Sequence, residues 1–450
     1  MMRVFRPIAI LFLASTALSL VFLFLFPGRS TILDENHYIE LGRRLADTGV
    51  FGTPHDRAWH TPGYPVFLML VFSLFGRSLF MVKVLQSILG GVNVILTYLL
   101  GRRHWSDRAS FRGALLVGLY PCLILYYQVI SSETLYITFL LLVFLFLSLA
   151  MEKQRWFWYA LAGAAGALCA YDRPIFLAFP VLVLGLLLVP RHRTRNTAMG
   201  LILLLIVTSV SIAPWFIRNG QVLGDYTLFS SKGGLNLWVG NNPLANGTQI
   251  SREVLDFPVD PRELHDMWSL DEVSRNRECT RKGLEFIKSR PLDWMKLLPV
   301  KLTYVWNIES RDFVFLYGQN RWPPNPIFFG LGVLLTSIPF ILLALAGLRG
   351  IFTHGPSPGI GALPLYLLYV SLTALVFFGD NRHHLPAVPI LALYAAGFLE
   401  NRRAAIASKT KRYAWLLLTA LFVLGLACRL TVDLRTYSLM SREPSQYFKS

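Results

Sequence analysis

An all-α polytopic membrane protein is the fold class this sequence predicts, on three observations. Hydrophobic residues make up 54 % of the 450, and mean hydropathy is +0.49. The apolar residues are gathered into uncharged runs, among them Ile8–Phe26, Thr134–Met151, Ala198–Phe216, Ile327–Gly347 and Ile360–Phe378. A helix crossing the hydrocarbon of a bilayer needs roughly 20 apolar residues, and several of these runs have that length. Finally, the basic residues fall in alternate short turns between the runs, which is how topology is written into membrane chains.

About eleven spanning helices are expected, near 8–26, 80–100, 111–130, 133–151, 156–170, 174–189, 197–216, 327–348, 360–378, 385–400 and 413–431. With a cytoplasmic N-terminus, the inner turns carry Arg3 and Arg6, then Arg102, Arg103 and Arg108, then the turns at 152–155, 190–195, Arg349 and 401–412. The short outer turns near Ser131–Ser132 and Tyr171–Arg173 hold one basic residue between them. This parity requires that Tyr64–Phe75 not span. Its 12 residues would make a helix of about 18 Å against about 30 Å of hydrocarbon, so it reads as re-entrant or interfacial. The Met1–Pro7 segment and its apolar run resemble a signal peptide, but the run is long and Pro27-Gly28-Arg29 follows it, so it reads as a retained first helix.

Four regions result. Residues 1–216 form an N-terminal transmembrane region with a first outer loop at 27–63 and the re-entrant segment at 64–75. Residues 217–326 form an extracytoplasmic segment, 327–431 the C-terminal transmembrane helices, and 432–450 an outer tail. In the second region Lys232–Pro243, rich in glycine and asparagine, reads as turns. An amphipathic stretch from Asp271 to Trp306 is expected to turn Phe286, Ile287, Trp294, Leu297 and Leu298 to the membrane surface, with Lys288, Arg290, Lys296 and Lys301 near lipid phosphates. The setting is a cell's inner (plasma) membrane, crossed many times.

The net charge of +17 does not point to nucleic acid, because the basic residues cluster in turns and no polar domain interleaves them with aromatics. Of four cysteines, Cys122, Cys169 and Cys428 lie in apolar runs and Cys279 stands alone, so neither a metal site nor a disulfide framework is indicated.

The sharpest cluster of reactive side chains is the first outer loop. Asp34 and Glu35 stand just past the first helix, followed by His37, Tyr38, Arg43 and Arg44, then Asp56, Arg57, His60 and the turn Thr61-Pro62-Gly63-Tyr64-Pro65. A carboxylate can take a proton from an acceptor hydroxyl, and cations can stabilise charge on a departing phosphate. A solvated charged pair after a transmembrane helix is the competing structural account.

The pattern Asp34-Glu35-x-x-Tyr38 and the turn His60–Pro65 resemble glycosyltransferase family 39, the dolichyl-phosphate-mannose-protein mannosyltransferase-like and aminoarabinose transferase-like group of the GT-C superfamily. Ser132-Glu133, Asp172-Arg173-Pro174, Pro214-Trp215-x-x-Arg218-Asn219, Asn236–Pro243 and Arg382–Pro386 are similar to its bacterial members in order and in topological place. The resemblance implies a GT-C-like fold whose outward-facing loops carry the site, and inverting transfer of a sugar from a polyprenyl-phosphate donor to a lipid, glycan or protein acceptor. It implies no cofactor and no metal. Asp34 takes the place of the family's acidic residue, with Glu35 beside it. The chain departs from the pattern at Thr61-Pro62-Gly63, where aminoarabinose transferases tend to carry Lys-Pro-Pro; His60, Arg57 or a distant arginine then becomes the phosphate contact.

Around the donor, the substrate-binding candidates are Arg57, His60, Tyr64, Glu133, Arg218, Lys232, Asn236, Arg382 and His383. Several have a structural alternative. Glu133 reads equally as a helix-capping acid. Asp172 and Arg173 read more simply as an ion pair closing a turn, or else the arginine faces the cavity. Arg218 either snorkels to head groups or forks onto phosphate. Lys232 and Asn236 are loop structure or close over the donor. The adjacent His383 and His384 point different ways and make a poor metal pair, which leaves Arg382 as the phosphate ligand of that loop. Trp59, Tyr64 and Trp238 suit either a sugar face or an interfacial belt.

Two other classes compete. A GT-C-like polymerase or ligase would share the outward chemistry. A lipid-linked solute transporter or flippase would place charges near mid-membrane, whereas these spans are almost charge-free.

Overall fold

Proline and glycine decide where the apolar runs stop being helix and how closely the helices approach. The computed structural model describes residues 2–25, 34–54, 56–249, 257–309, 313, 326–355, 357–401, 406 and 408–442. The end of the expected first helix and part of the first outer loop (26–33), and the end of the tail (443–450), lie outside the described residues. In chain order the helices are α1 (Met2–Leu25), α2 (Glu35–Thr48), α3 (Gly63–Phe75), α4 (Leu79–His104), α5 (Asp107–Gly118), α6 (Pro121–Tyr126), α7 (Glu133–Lys153) and α8 (Trp156–Asp172). There follow α9 (Phe179–Val183), α10 (Arg195–Leu223), α11 (Gly233–Gly240), α12 (Pro261–Ser269), α13 (Glu272–Ser289) and α14 (Pro291–Val305). The last four are α15 (Pro326–Thr353), α16 (Ala362–Val376), α17 (Val388–Glu400) and α18 (Lys409–Arg442). Among the described residues the only β pairing is an isolated bridge between Thr248 and Gly379.

Six of these helices, α1, α4, α7, α10, α15 and α18, are long and apolar enough to cross a membrane. The other apolar segments are shorter or broken. The run expected as one span over 111–130 splits: Tyr120 is extended (φ −74°, ψ 113°) and α6 restarts at Pro121, whose missing N–H and ring disfavour a helical residue before it. The run at 174–189 is a 3₁₀ turn from Pro174, the short α9 containing Pro180, and a second 3₁₀ turn to Leu188. Lys232–Pro243, expected as turns, contains α11. Its glycines serve close approach: a Cβ on Gly234 would lie 2.1 Å from the Asn276 carbonyl oxygen of α13.

The core joins α4, α5, α7, α8, α10, α16 and α17. Inside a membrane, packing and interhelical hydrogen bonds hold helices together, and small residues favour both. A Cβ on Gly163 of α8 would stand 2.6 Å from the Leu204 carbonyl oxygen of α10, and Thr208 Oγ1 donates to the Gly163 carbonyl at 3.0 Å. Ser19 of α1 donates to Ser87 of α4 at 2.8 Å, a contact worth about 0.6 kcal/mol.

α3 does not cross. It runs beside α2, with Tyr38 against Tyr64, a Cβ on Gly42 meeting Leu68, and Arg77, just beyond α3, paired at 2.7 Å with Asp47 in the last turn of α2. At one end of the bundle Arg103 meets Glu152 at 3.4 Å, Ser106 bonds Glu400, and His104 bonds Ser148 and Ser357. The opposite end gathers Asp34, the start of α7, the end of α8 and the loop before α17.

The amphipathic stretch divides at Arg290-Pro291 into α13 and α14, with Leu292 and Met295 exposed. Two of its expected surface residues face inward instead. Phe286 is buried, and Lys301 is 0 % exposed, donating to Asn241 Oδ1 at 2.8 Å and to the Leu375 carbonyl at 3.1 Å. The second bond satisfies a carbonyl left open at the end of α16.

Candidate active site

At that second end a cavity of about 350 Å³ opens between α2, the Trp59–Thr61 turn, the start of α7, the end of α8, the Ser230–Asn236 stretch, α16 and the Phe377–His383 loop. Its polar wall carries Asp34, Glu35, His60, Glu133, Asp172, Arg173, Lys232, Asn236, Gln249, Arg382 and His383. Ile130, Tyr136, Ile175, Tyr366, Tyr369 and Val370 also line it, giving it an apolar and aromatic side.

Asp34 holds the N-cap position of α2 yet makes no capping hydrogen bond. An N-cap aspartate ordinarily accepts from the first turn of its helix. Here the carboxylate turns to Lys232 Nζ at 2.8 Å and Arg382 Nη1 at 3.9 Å, from segments far along the chain. Burial by itself would raise its pKa, but the charges of Lys232 and Arg382 outweigh burial and hold the carboxyl well below the usual range. Asp34 is therefore ionised. Arg382 also donates to Gln249 Oε1 at 2.8 Å and lies 3.7 Å from Asp380, whose side chain caps the 3₁₀ turn at the Arg382 N–H.

Deeper in the wall, Glu133 Oε1 meets Arg173 Nη2 at 2.5 Å, with the glutamate side chain 3 % exposed. Arg173 also donates to Ser132 Oγ and lies over the Tyr136 ring. Of the two readings given for Asp172-Arg173, the turn-closing pair is thus not what forms. Pro174 keeps Arg173 extended (φ −140°, ψ 108°), which carries its side chain off the end of α8 toward α7. Both carboxyl oxygens of Asp172 are buried with no hydrogen-bond partner.

His60 lies against Tyr38 and His37, and burial, then Lys232, push its pKa down to about 3, so the imidazole is neutral. Glu35 is buried next to Asp34 and faces the charge of Lys83 from α4. His383 lines the cavity, whereas His384 turns inward to the Val305 carbonyl at 2.5 Å and Glu309 at 2.9 Å.

Three expected ligands lie outside the cavity. Tyr64 sits behind Tyr38 and donates to Gln86 at 2.6 Å. Arg57 is exposed, and its guanidinium donates to the Val222 carbonyl at 3.1 Å. Arg218 stacks over Trp215 and Phe51 and donates to the carbonyls of Phe51 at 2.8 Å and Arg57 at 2.9 Å. Trp215 and Asn219 likewise bond the Phe229 carbonyl, so the Pro214–Asn219 motif braces two loops. Of the three aromatic candidates, Trp59 alone lines the cavity. Sequence reasoning did not single out Tyr136, Tyr366, Tyr369 or Gln249. Nothing in an apolar run separates a tyrosine facing a cavity from one facing a neighbour.

Three cations stand around a cavity with an ionised carboxylate and an apolar side, an arrangement suited to an anion with a lipid tail and a nearby hydroxyl to deprotonate. Over 99 % of its length the chain is similar to the oligosaccharyltransferase of Archaeoglobus fulgidus, with a TM-score of 0.53 at 13 % identity, covering 56 % of that structure. At that identity the likeness shows a shared fold. Residues 59–217 match the family model described as dolichyl-phosphate-mannose-protein mannosyltransferase. A 90-residue stretch is 36 % identical to an undecaprenyl phosphate-alpha-4-amino-4-deoxy-L-arabinose arabinosyl transferase of Pseudomonas fluorescens. A second such transferase, from Pseudomonas savastanoi pv. phaseolicola, is also 36 % identical over 90 residues. These alignments take in 19 % of this chain and only 16–17 % of the two relatives. The resemblance to the mannosyltransferase-like family read from the sequence is thus matched by that family's model over residues 59–217.

Proposed function

We propose that this protein is a membrane glycosyltransferase that moves a sugar from a polyprenyl-phosphate donor to an acceptor on the extracytoplasmic face. The observation that carries the reading is Asp34 held between Lys232 and Arg382 at a cavity with an apolar side. The names of the similar transferases and of the matched family support the donor class.

In the reaction the acceptor hydroxyl oxygen forms a bond to the anomeric carbon while the bond from that carbon to the phosphate oxygen breaks. Asp34 takes the hydroxyl proton, and polyprenyl phosphate leaves with the electron pair and its negative charge. A single displacement of this kind inverts the anomeric centre. Lys232 and Arg382 receive the phosphate, and Arg173 adds charge deeper in the wall. The prenyl chain follows the side lined by Ile130, Ile175, Tyr366, Tyr369 and Val370. A carboxylate already paired with two cations is a weak base. A phosphate that draws Lys232 and Arg382 to itself restores the basicity of Asp34 when the donor is in place. Glu35 and His60 pack beside the base, Glu133 fixes Arg173, and Asn236 and His383 face the sugar.

The site end faces outward because the opposite end holds Arg102, Arg103 and Arg155, the cytoplasmic signature. The N-terminus is then cytoplasmic and the membrane is the inner one. The acceptor is a lipid, glycan or protein.

The test is to incubate the purified protein in detergent with a panel of polyprenyl-phosphate sugars and follow release of polyprenyl phosphate. Release with at least one donor is expected. No release from any donor by a folded protein contradicts the reading and favours a glycan polymerase or ligase.

A further inference from the structure

Glu272 is the first residue of α13, 6 % exposed, and does not line the cavity. Asp271 already caps that helix by accepting from the N–H groups of Val273 and Ser274, so Glu272 is not needed there. Its carboxylate instead gathers two distant pieces of chain. Oε2 accepts from the Arg57 N–H at 2.7 Å, and Oε1 accepts from the Ala58 N–H at 2.9 Å and Ser231 Oγ at 2.5 Å. The Ser231 N–H closes the ring on the Ala58 carbonyl at 2.9 Å. His60 follows Ala58 by two residues, and Lys232 follows Ser231 directly.

The same face of α13 fastens both pieces again. Arg275 meets Asp56 at 2.5 Å and lies against the rings of both Trp59 and Trp268, which also touch each other, and Asn276 Oδ1 accepts from the Gly234 N–H at 2.7 Å. Residues 272, 275 and 276 share one face at i, i+3 and i+4. That face joins the stretch bearing His60 to the stretch bearing Lys232.

We propose that Glu272 is a positioning residue that sets the place of Lys232 opposite Asp34, and so governs how the donor phosphate is held. The link to the donor rests on the glycosyltransferase reading; the link to the Lys232–Asp34 spacing does not. An error of about 1 Å in a charged contact can cost about 100-fold, because a preorganised site depends on placement.

Two measurements test this, one independent of turnover. A water-soluble carbodiimide joins carboxylate and ammonium groups in direct contact, and peptide mass spectrometry reads the bond. The Asp34–Lys232 cross-link forms in the native protein and falls at least fivefold in Glu272→Ala, with Ser231→Ala intermediate. The exposed Asp293–Lys296 pair, also at 2.8 Å, is the internal control and does not change. An unchanged 34–232 yield in Glu272→Ala and Ser231→Ala overturns the proposal whether or not any donor is turned over. In the kinetic arm, Glu272→Ala raises donor KM about tenfold in the native background, with kcat changed less. In a Lys232→Ala background it raises KM less than twofold, because the group it positions is gone. Equal effects in both backgrounds overturn the positioning role while leaving the transferase reading intact. Should Glu272→Ala fail to fold, Ser231→Ala, which removes one of the three bonds, carries both arms.

Discussion

The two ends of the helix bundle use the same residue types to opposite effect. At the basic end Arg103–Glu152 and Arg102–Asp107 are surface pairs, with carboxylates 45 % and 66 % exposed. At the cavity end Glu133–Arg173 and Asp34–Lys232 are withdrawn from water, with carboxylates 3 % and 22 % exposed. Water screens the first set, so those pairs contribute little to stability. The second set is costly to desolvate, and the wall still holds buried polar atoms without partners, both Asp172 carboxyl oxygens among them. Chemistry belongs where charges are withdrawn from water without being fully satisfied.

The widest gap between the ends should appear in turnover. Asp34→Asn is expected to lower kcat by about 10²–10⁴, the range for losing a general base, whereas Arg103→Ala leaves it within about twofold. Initial rates of polyprenyl phosphate release check both; equal losses would erase the distinction. Stability should separate next. Glu133→Gln leaves Arg173 charged and buried, a loss of about 3–5 kcal/mol by denaturant unfolding in detergent, against about 1 kcal/mol or less for Glu152→Gln. Replacing both partners together, as Glu133→Leu with Arg173→Met, should recover much of that loss.

A smaller effect concerns acid. His60 has a folded pKa of about 3 against an ordinary 6.5, so between those values the unfolded chain binds more protons. Stability contributed by the neutral ring is complete above about pH 6.5 and is lost as pH falls toward 3, with a slope of at most about 1.4 kcal/mol per pH unit. His60→Gln should flatten the unfolding profile in that window. An unchanged profile would mean the ring is not buried in its neutral form.

How much of this was readable in the sequence follows from the physics of each signal. Long spans announce themselves by length and hydropathy, as α4, α7 and α10 did. The broken runs did not, because Pro121 and Pro180 are compatible with helix on composition and only packing shows where the chain turns. In the site, Asp34 was legible as a charge just past a membrane span and Lys232 as a cation in an outer glycine-rich stretch, but their meeting spans 198 positions and no local pattern encodes it. Arg218 misled because an arginine after Pro-Trp at a helix end serves a backbone carbonyl as readily as a phosphate. Arg173 was the better candidate, and Pro174 was the clue: it forces the preceding residue out of helix and so re-aims its side chain. Lys301, four residues from the end of an amphipathic helix, carried no sign that it would be drawn inside to close α16.

The competition between Asp34 and phosphate for the same two cations gives the most direct test. Binding of undecaprenyl phosphate should be measured by titration on the purified native protein and on Asp34→Asn, alongside sugar transfer. Freed of the carboxylate, Lys232 and Arg382 should hold the phosphate several-fold more tightly in the variant, while transfer is lost. Weaker binding together with retained transfer would contradict the account.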